Sequence, residues 1–561
     1  MILDRLKNRL GQRLFSIFLM GLLALAAAFP IVFFGIPHGP DLAQHFQFAA
    51  SVNESLSNGV LIPPTSPKAN HGLGDYGIRF YPPLSYLALS LIFKVINSWY
   101  YATAFFVFLL FWFSGIGVEM LTREYFTNKE AIFAGAIFML APYHLNQIYN
   151  SFLFAEFAAV SVIPFCLLFI SRICRSAKFA DTIGLAVSLS LLFLTHIPTS
   201  IMCAIVFPVF TLVILYRSGI SVAKILNLVA GGLLAIASTS FYWIKVVTEQ
   251  KWIKHTSPEY FDGVYGFRDN FLGNLSSILN FQDDVRALWL PNLILFATLF
   301  LCLPTVIMLF RSRLKRSDLL IASGTVLVIS VFFTAFPSQF IWENSSIIQI
   351  LQFPWRFLGF VSIAAAVFAS IGIVAVSDMI ANRQNVPATI GLGLILTVFV
   401  FSAAFIPRQA TFNSRANFGN EQVEILHGAA SNECWQTNWV PGHGIKPADL
   451  TNLVRDRSQL SVTSSSRSFA LSNADSGLIE LPVYYYPYWT AFSGEKELPV
   501  KSSERGLITI DAPNPISKIF LEFREPGVVR VARFFSAGVW IMLLIFSGYY
   551  LIWIKLREDK A

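Results

Sequence analysis

The stretch that decides the fold is LFSIFLMGLLALAAAFPIVFF, residues 14–34. It holds no charged residue over 21 positions, and a helix needs about 20 apolar residues to cross the hydrocarbon core of a bilayer. Basic residues at positions 5, 7, 9 and 13 precede it, as at the start of a secretory signal. The run is too long for a cleaved signal and lacks an Ala-x-Ala exit, so we expect an uncleaved first membrane span.

The composition of the whole chain is that of a membrane protein. Of its 561 residues, 55% are hydrophobic and 13% charged, whereas a soluble domain carries about 25% charged residues. The run 182–216 is too long for one crossing, and His196 with Pro198 at its middle predicts a hairpin of two helices. The other apolar runs lie at roughly 100–121, 131–145, 152–171, 225–243, 287–310, 319–336, 357–377, 388–406 and 534–554.

Basic residues in the short loops predict the orientation. Segment 81–96 opens with two prolines and contains Lys94, and we interpret it as lying in the outer interface. With that choice, the basic clusters within 123–129, 172–178, 217–224 and 311–316 all fall on the cytoplasmic side. The sequence then predicts about twelve transmembrane helices plus interfacial helices, both termini in the cytoplasm, and exterior loops at 35–98, 244–286 and 337–355.

The composition changes sharply after residue 406, where polar residues separate strand-like runs such as 478–486 and 519–523. We therefore predict a polytopic α-helical membrane protein with a C-terminal extracytoplasmic β-rich domain. Its parts are a transmembrane domain at 1–406, a β-sandwich-like domain at 407–532, and a final transmembrane helix with a cytoplasmic tail at 533–561. The five cysteines are scattered and indicate no disulfide or metal framework.

The first exterior loop carries the first candidate site. Ionisable groups at the outer ends of spans are costly in lipid and usually face a protein interior or a water-filled cavity. Asp41 and His45 stand four positions apart, on one face of any helix that begins there. The alternative is that Asp41 and Gln44 form a capping box that only starts a helix. We favour the site, because both ionisable groups meet the membrane surface.

Two arginines are candidates for binding a phosphate. Arg79 lies in GLGDYGIRFYPPL, residues 72–84, and Arg356 ends LQFPWR, residues 351–356. A guanidinium group can grip a phosphate with two parallel hydrogen bonds. The alternatives are an ordinary loop arginine at the headgroup level for Arg79 and an aromatic-belt anchor with a snorkelling side chain for Arg356.

Three more polar residues lie in or beside apolar runs. Glu156 needs a partner, either His144 or an arginine of another helix, and a purely structural pair is as good an interpretation as a catalytic one. His196 follows Thr195 in the predicted hairpin turn, where a histidine is more often simply hydrogen-bonded. The chain has no nucleotide-phosphate loop, HExxH zinc site or GxSxG elbow. Nothing in it indicates a cytoplasmic nucleotide donor or a nucleic-acid partner.

These motifs together resemble a known family. Asp41-x-x-x-His45, the 72–84 stretch, Pro142-Tyr143-His144 with Glu156, Thr195-His196 and QFPWR at 352–356 occur in this order. The order is similar to that of bacterial and archaeal membrane proteins labelled "6-pyruvoyl-tetrahydropterin synthase-related", a label that does not imply pterin chemistry. The resemblance runs from about residue 38 to 378. One departure is that residues 150–154 read NSFLF, where an arginine commonly precedes the glutamate.

The family looks like a branch of the GT-C glycosyltransferases, so the resemblance implies a GT-C-like fold and inverting sugar transfer at the extracytoplasmic face. The implied partners are a polyprenyl-phosphate-linked sugar donor, a glycan, lipid or protein acceptor, and membrane lipids; the implied location is a bacterial or archaeal cytoplasmic membrane. Asp41 matches the loop acid that acts as general base. We expect the substrate to be bound by a set of basic and polar side chains: His45, Arg79, His144, Glu156, His196 and Arg356. We expect no cofactor, with a divalent metal as the open alternative.

Two other functions remain open at this point. In a lipid-linked saccharide transporter, Glu156 and His196 would be proton-relay groups. In a non-catalytic assembly or glycan-binding protein, the aromatic run at 484–489 would bind the glycan or partner.

The predicted orientation can be tested by cysteine labelling. Asn385 falls in a cytoplasmic loop of the twelve-span topology, so a cysteine placed there should react with a membrane-impermeant maleimide only after the membrane is permeabilised. Reaction from the outside alone would overturn the topology.

Overall fold

The computed structural model describes residues 2–256, 265–273, 288–311, 314, 317–383, 386–442, 445 and 457–558. Its helices in chain order are α1 (Ile2–Phe34), α2 (Leu42–Ser57), α3 (Gly77–Phe80), α4 (Leu84–Ile96), α5 (Trp99–Arg123), α6 (Asn128–Met139), α7 (Pro142–Tyr149), α8 (Phe154–Ser176), α9 (Phe179–Phe193), α10 (Ile197–Ser218), α11 (Val222–Ser238), α12 (Ser240–Glu249), α13 (Trp289–Leu301), α14 (Leu303–Phe310), α15 (Asp318–Thr334), α16 (Gln339–Glu343), α17 (Ser346–Gln349), α18 (Leu358–Arg383), α19 (Val386–Gln409), α20 (Asn420–Gly428) and α21 (Gly527–Glu558). Asn385 and most of 257–287 lie outside the described residues.

Long apolar helices dominate the first four fifths of the chain. Within the described ranges, nine helical segments are long and apolar enough to cross a membrane, or ten if α11 and α12, which meet at a 69° bend, form one broken span. The nine are Gly11–Phe34, Trp99–Arg123, Asn128–Tyr149, Phe154–Ser176, Ile197–Ser218, Trp289–Phe310, Pro354–Ala381, Thr389–Gln409 and Gly527–Tyr549. The shorter apolar helices α9 and α15 occupy the two remaining predicted runs, so the count of about twelve stays a prediction.

Two local predictions concern the shorter helices. The hairpin around His196 is confirmed, because α9 ends at Phe193 and α10 begins at Ile197. Segment 81–96 contains α4, which begins directly after Pro83. Its interfacial position stays a prediction.

The C-terminal part contains the sheet. Its strands are β3 (Arg457–Val462), β4 (Ser466–Tyr484), β5 (Trp489–Ser493), β6 (Lys496–Leu498), β7 (Val500–Ser502) and β8 (Leu507–Phe523). In the described part they form one antiparallel sheet in the order β3-β4-β8-β5-β6, with β7 also paired to β8. The β-rich domain is thus confirmed, and its described strands belong to one sheet. The long strands β4 and β8 stay paired across register shifts between Ala470 and Gly477, so their hydrogen bonds join both halves of the sheet.

The helical core and the sheet core share the loop at 35–98. Leu73 and Tyr76 of that loop are buried in the apolar core of the sheet. Conversely, the helical core buries Phe418 and Val423, which lie between α19 and the sheet. A two-stranded ladder of β1 (Ile36–Pro37) and β2 (Phe412–Asn413) closes the same region. Both cores therefore hold the loop at 35–98 in place.

A buried ion pair fastens the sheet to the end of α12. Arg79, in α3, is fully buried and pairs through Nε and Nη2 with both carboxylate oxygens of Glu249 at the end of α12. Its Nη1 lies 2.5 Å from Oε1 of Glu525, which follows β8. Tyr486 donates to Oε2 of Glu249 at 2.5 Å, and the guanidinium lies 5.5 Å from the ring centre of Tyr488. Although burial opposes ionisation, the charge of Arg79 holds the pKa of Glu525 below its usual value.

A second buried carboxyl group, that of Asp75, links the loop at 35–98 to Ser431, which precedes the sheet. Oδ1 of Asp75 accepts a hydrogen bond from the Gly77 backbone at 2.7 Å, and Oδ2 accepts one from the Ser431 hydroxyl at 2.9 Å. Burial raises the pKa of Asp75 to about 7, although both hydrogen bonds act in the opposite direction. Asp75 is therefore partly protonated near neutral pH.

We expect Arg79→Met to destabilise the protein strongly. Removing one partner of a buried ion pair leaves the other charge uncompensated, which costs about 3–5 kcal/mol. Thermal melting in detergent measures the effect. The control is Arg505→Met, because Arg505 pairs with Glu480 on the exposed side of the sheet, where a pair contributes about 0–1 kcal/mol. Equal melting temperatures for the two variants would contradict this role of Arg79.

The raised pKa of Asp75 predicts a pH dependence of stability. Its usual pKa is 3.8, so between that value and about 7 the folded protein holds a proton that the unfolded chain has released. Stability from this group therefore falls as pH rises through that window, by up to about 1.4 kcal/mol per pH unit. In Asp75→Asn the dependence should disappear, whereas Asp511→Asn, at an exposed position, should keep it. Melting curves from pH 4.5 to 8 measure both, and parallel curves for wild type and Asp75→Asn would refute the assignment.

Candidate functional site

Asp41 occupies the position just before α2 but does not cap the helix. Its side chain makes no capping hydrogen bond, and the residue is half-buried. Gln44, the second member of the predicted capping box, is used elsewhere: it accepts a hydrogen bond from the Asn432 backbone at 3.0 Å and donates to Gln47 at 2.9 Å. The capping-box interpretation is therefore wrong, and the carboxylate of Asp41 remains available for another role.

His45 lies one turn further along α2 and is buried among aromatic rings. Its Nδ1 is 2.7 Å from the hydroxyl of Tyr86, and its ring centre is 6.0 Å from that of Tyr81. Burial lowers the pKa of His45 to about 4, although the Asp41 carboxylate acts to raise it. The imidazole is neutral at physiological pH, so it can share a hydrogen bond but cannot supply a positive charge.

Glu156 and Arg356 form a buried pair between two helices. Glu156 lies in the first turn of α8, and Arg356 lies in the short turn that leads into α18. Nε of Arg356 is 3.2 Å from Oε2 of Glu156. The other oxygen, Oε1, accepts hydrogen bonds from Tyr143 at 2.6 Å and Gln147 at 2.9 Å. The arginine that the local sequence lacks is therefore supplied by a distant helix.

Asp41, Glu156 and Arg356 all lie within electrostatic reach of Tyr81. Burial raises the pKa of the Tyr81 hydroxyl; Asp41 and Glu156 raise it further, and Arg356 lowers it. His196 is within electrostatic reach of both Arg356 and His45. Asp41, His45, Glu156, His196 and Arg356 thus meet in one neighbourhood, although the chain separates them widely.

The local contacts of His196 are those of a helix cap. Its Nδ1 accepts a hydrogen bond from the Thr199 backbone at 3.3 Å and lies 2.8 Å from the Thr199 hydroxyl. The ring therefore borders the cluster while it fixes the start of α10.

Two predicted substrate-binding residues are not part of this cluster. Arg79 is buried in the ion pair described above, and because Glu249 and Glu525 engage its guanidinium, it is not offered to a phosphate. His144 lies in the helical core, 3.2 Å from both Ser114 and Gln147, with its ring stacked on Phe138. It can orient Gln147, and through it Glu156. The prediction for these two side chains is corrected accordingly.

Two loop segments that the sequence did not single out complete the neighbourhood. Residues 252–255 and 435–438 run antiparallel, with a bridge between Ile253 and Thr437 and a hydrogen bond from the Lys254 backbone to the Gln436 carbonyl at 3.0 Å. The rings of His255 and Trp435 lie 4.6 Å apart at this bridge. Burial and the charge of Arg356 lower the pKa of His255 to about 4.

Metal-binding side chains are not clustered in the described residues. Among them, no group of three or more His, Cys, Asp or Glu is placed to hold a metal ion. The need for a cofactor or divalent metal stays a matter of prediction.

Solved structures similar to this chain are glycosyltransferases, the class that the sequence resemblance implied. The arabinofuranosyltransferase AftD from Mycobacteria matches with a TM-score of 0.46 and 14% identity, covering 70% of this chain and 28% of AftD. The Archaeoglobus fulgidus oligosaccharyltransferase complexed with Zn and sulfate gives 0.37 and 14%, covering 70% of this chain and 53% of the enzyme. ArnT from Cupriavidus metallidurans bound to undecaprenyl phosphate gives 0.28 and 13%, covering 66% and 80%.

With TM-scores below 0.5, these similarities transfer no activity to this chain, which spans less than a third of AftD and about half of the oligosaccharyltransferase. No curated protein sequence matches the chain. A family model does match: the membrane-protein model of the 6-pyruvoyl-tetrahydropterin synthase related domain covers residues 78–406, more than half of the chain. The protein therefore belongs to the 6-pyruvoyl-tetrahydropterin synthase related family of membrane proteins, as its ordered motifs predicted.

Proposed function

We propose that the protein is a membrane glycosyltransferase of GT-C type. It transfers a sugar, with inversion, from a polyprenyl-phosphate donor to a glycan, lipid or protein acceptor at the extracytoplasmic face. The observation that carries this proposal is the carboxylate of Asp41, which starts α2 without a capping hydrogen bond and which, like Arg356, lies within electrostatic reach of Tyr81. An inverting transfer requires a base for the acceptor hydroxyl and a cation for the departing phosphate.

Asp41 acts as the general base. The acceptor hydroxyl attacks the anomeric carbon, the bond from that carbon to the donor phosphate breaks, and the hydroxyl proton passes to the carboxylate. A carboxylate is a weak base toward a ground-state hydroxyl, so the proton moves late, when the forming C–O bond has acidified the nucleophile.

Arg356 stabilises the departing polyprenyl phosphate. Charge grows on the leaving oxygen as the sugar gains oxocarbenium character, and a preorganised guanidinium favours that state. Glu156 holds Arg356 in place through its 3.2 Å contact, and Tyr143 and Gln147 hold Glu156 in turn. Neutral His45 contributes a hydrogen bond at most.

An apolar groove in the helical domain supports a lipid-linked donor. A cavity of about 470 Å³ lies between α13 and α19, lined by residues such as Leu293, Phe300, Phe401 and Phe405. It reaches Pro142, the residue before Tyr143. Only 17% of the span Thr389–Gln409 is buried, so the groove lies beside a helix that faces lipid. An isoprenoid chain bound here would bring its phosphate toward Glu156 and Arg356.

The proposed location is a bacterial or archaeal cytoplasmic membrane, with both termini in the cytoplasm and the sheet outside. The basic loop clusters support this orientation. The acceptor would then approach from the side of the membrane that carries Asp41, Trp435 and the sheet.

Asp41→Asn is the decisive variant. Asn keeps the size of the side chain but cannot accept a proton as a carboxylate does, so the transfer rate should fall by roughly 10² or more. Folding should be unchanged, because the side chain of Asp41 makes no capping hydrogen bond that the substitution would remove. Sugar transfer from labelled polyprenyl-phosphate sugars in proteoliposomes, with thermal melting in parallel, measures both, and undiminished transfer would refute the proposed base.

Two further variants complete this test. Asp511→Asn makes the same chemical change at an exposed site on the sheet and should leave transfer intact. Arg356→Lys keeps the charge but loses the two-pronged donor geometry, so it should weaken use of the donor more than it weakens folding. A saccharide transporter or a non-catalytic scaffold would tolerate Asp41→Asn, since neither needs a base there.

A further inference from the structure

We propose that the rings of Tyr81, His255 and Trp435 form an aromatic platform that binds a sugar ring, a site that deepens the proposed function and rests on it. The three residues come from three loop segments and are half-buried. The platform is the place where the sugar lies while Asp41 and Arg356 act on it.

Tyr81 and His255 both neighbour Trp435, the first edge to face and the second with the two ring planes 35° apart. The indole lies 5.7 Å from the ring centre of Tyr81 and 4.6 Å from that of His255. Gly77 makes room for it, because a Cβ atom at that position would lie 2.8 Å from Cγ of Trp435. The absence of a side chain at Gly77 thus lets the indole approach α3.

Backbone hydrogen bonds position the platform. Next to the bridge between Ile253 and Thr437, the Asn438 backbone donates to the Trp252 carbonyl at 2.9 Å. Nζ of Lys254 lies 3.6 Å from a carboxylate oxygen of Glu433. These contacts fix the two segments, so His255 and Trp435 can keep their relative positions while part of each ring stays accessible.

The platform lies close to both the proposed base and the proposed phosphate contact. Asp41 acts electrostatically on Tyr81 and on Cys434, the neighbour of Trp435. Arg356 acts on Tyr81 and on His255. A sugar bound at these rings is therefore within reach of both groups that the proposed reaction needs.

A sugar ring has the chemistry that fits this surface. Its C–H groups form apolar faces, and the faces of aromatic rings carry partial negative charge that attracts such edges and cations. Its hydroxyl groups point outward toward polar partners, here on the sides of Asp41 and Arg356. His255 is neutral, as its lowered pKa requires, and therefore contributes an uncharged ring rather than a second phosphate contact.

The test is binding of simple sugars, which needs no knowledge of the natural donor. Saturation-transfer NMR with a panel of methyl glycosides of hexoses and pentoses should show binding of at least one glycoside to the detergent-solubilised wild-type protein. Trp435→Ala should weaken that binding about fivefold or more. The matched control is Trp439→Ala, because Trp439 is also half-buried but packs on Tyr485, 5.0 Å away, outside the platform.

Further variants keep the test decisive. If Trp435→Ala does not fold, His255→Ala and Trp435→Phe replace it, with weakened binding expected for the first and retained binding for the second. Equal binding by wild type and the folded platform variants, or no glycoside bound by the wild type, would overturn the platform. Asp41→Asn should bind the glycoside normally while it loses transfer. A wild-type protein that binds sugar through Trp435 but transfers none would refute the proposed reaction and leave the platform standing.

Discussion

The architecture depends on one buried guanidinium. Arg79 pairs with Glu249 at the end of α12 and with Glu525, which follows the last strand of the sheet. A charge buried this deeply is tolerable only when its partners are in place, because the cost of removing it from water is several kcal/mol. These contacts therefore fix the position of the sheet relative to the helices. The loop segments that surround Asp41 depend on that fixed position.

Hydrophobic patterning predicted much of this fold, since apolar runs of about 20 residues have few alternatives to spanning a membrane. The hairpin around His196 and the sheet in the last quarter followed from the same reasoning. The form of the sheet did not, because its connectivity depends on whether β4 and β8 stay paired through their register shifts. Local composition does not encode that.

The site could be predicted in part. Four residues can be named as candidates from the sequence: Asp41, His45, Glu156 and Arg356. A polar group beside an apolar run costs free energy in lipid, so such a group usually has a role. Arg79 shows the limit of this reasoning, since a guanidinium binds carboxylate and phosphate with the same geometry. Its partner Glu249 is 170 positions away and is not identifiable from the sequence. The sequence does not single out His255 and Trp435 for a similar reason. A backbone bridge between two loops brings the two rings together, and the sequence does not show that bridge.

The small ladder between β1 and β2 bears on how the protein is made. Asn413 pairs with Ile36, 377 positions earlier in the chain. At roughly 5–20 residues per second of synthesis, that interval lasts on the order of half a minute. Throughout it the loop at 35–98 has been synthesised but lacks its β2 partner, so the surroundings of Asp41 are incomplete while the later helices are inserted. The carboxylate of Asp41 thus reaches its final surroundings only after about three quarters of the chain has been made.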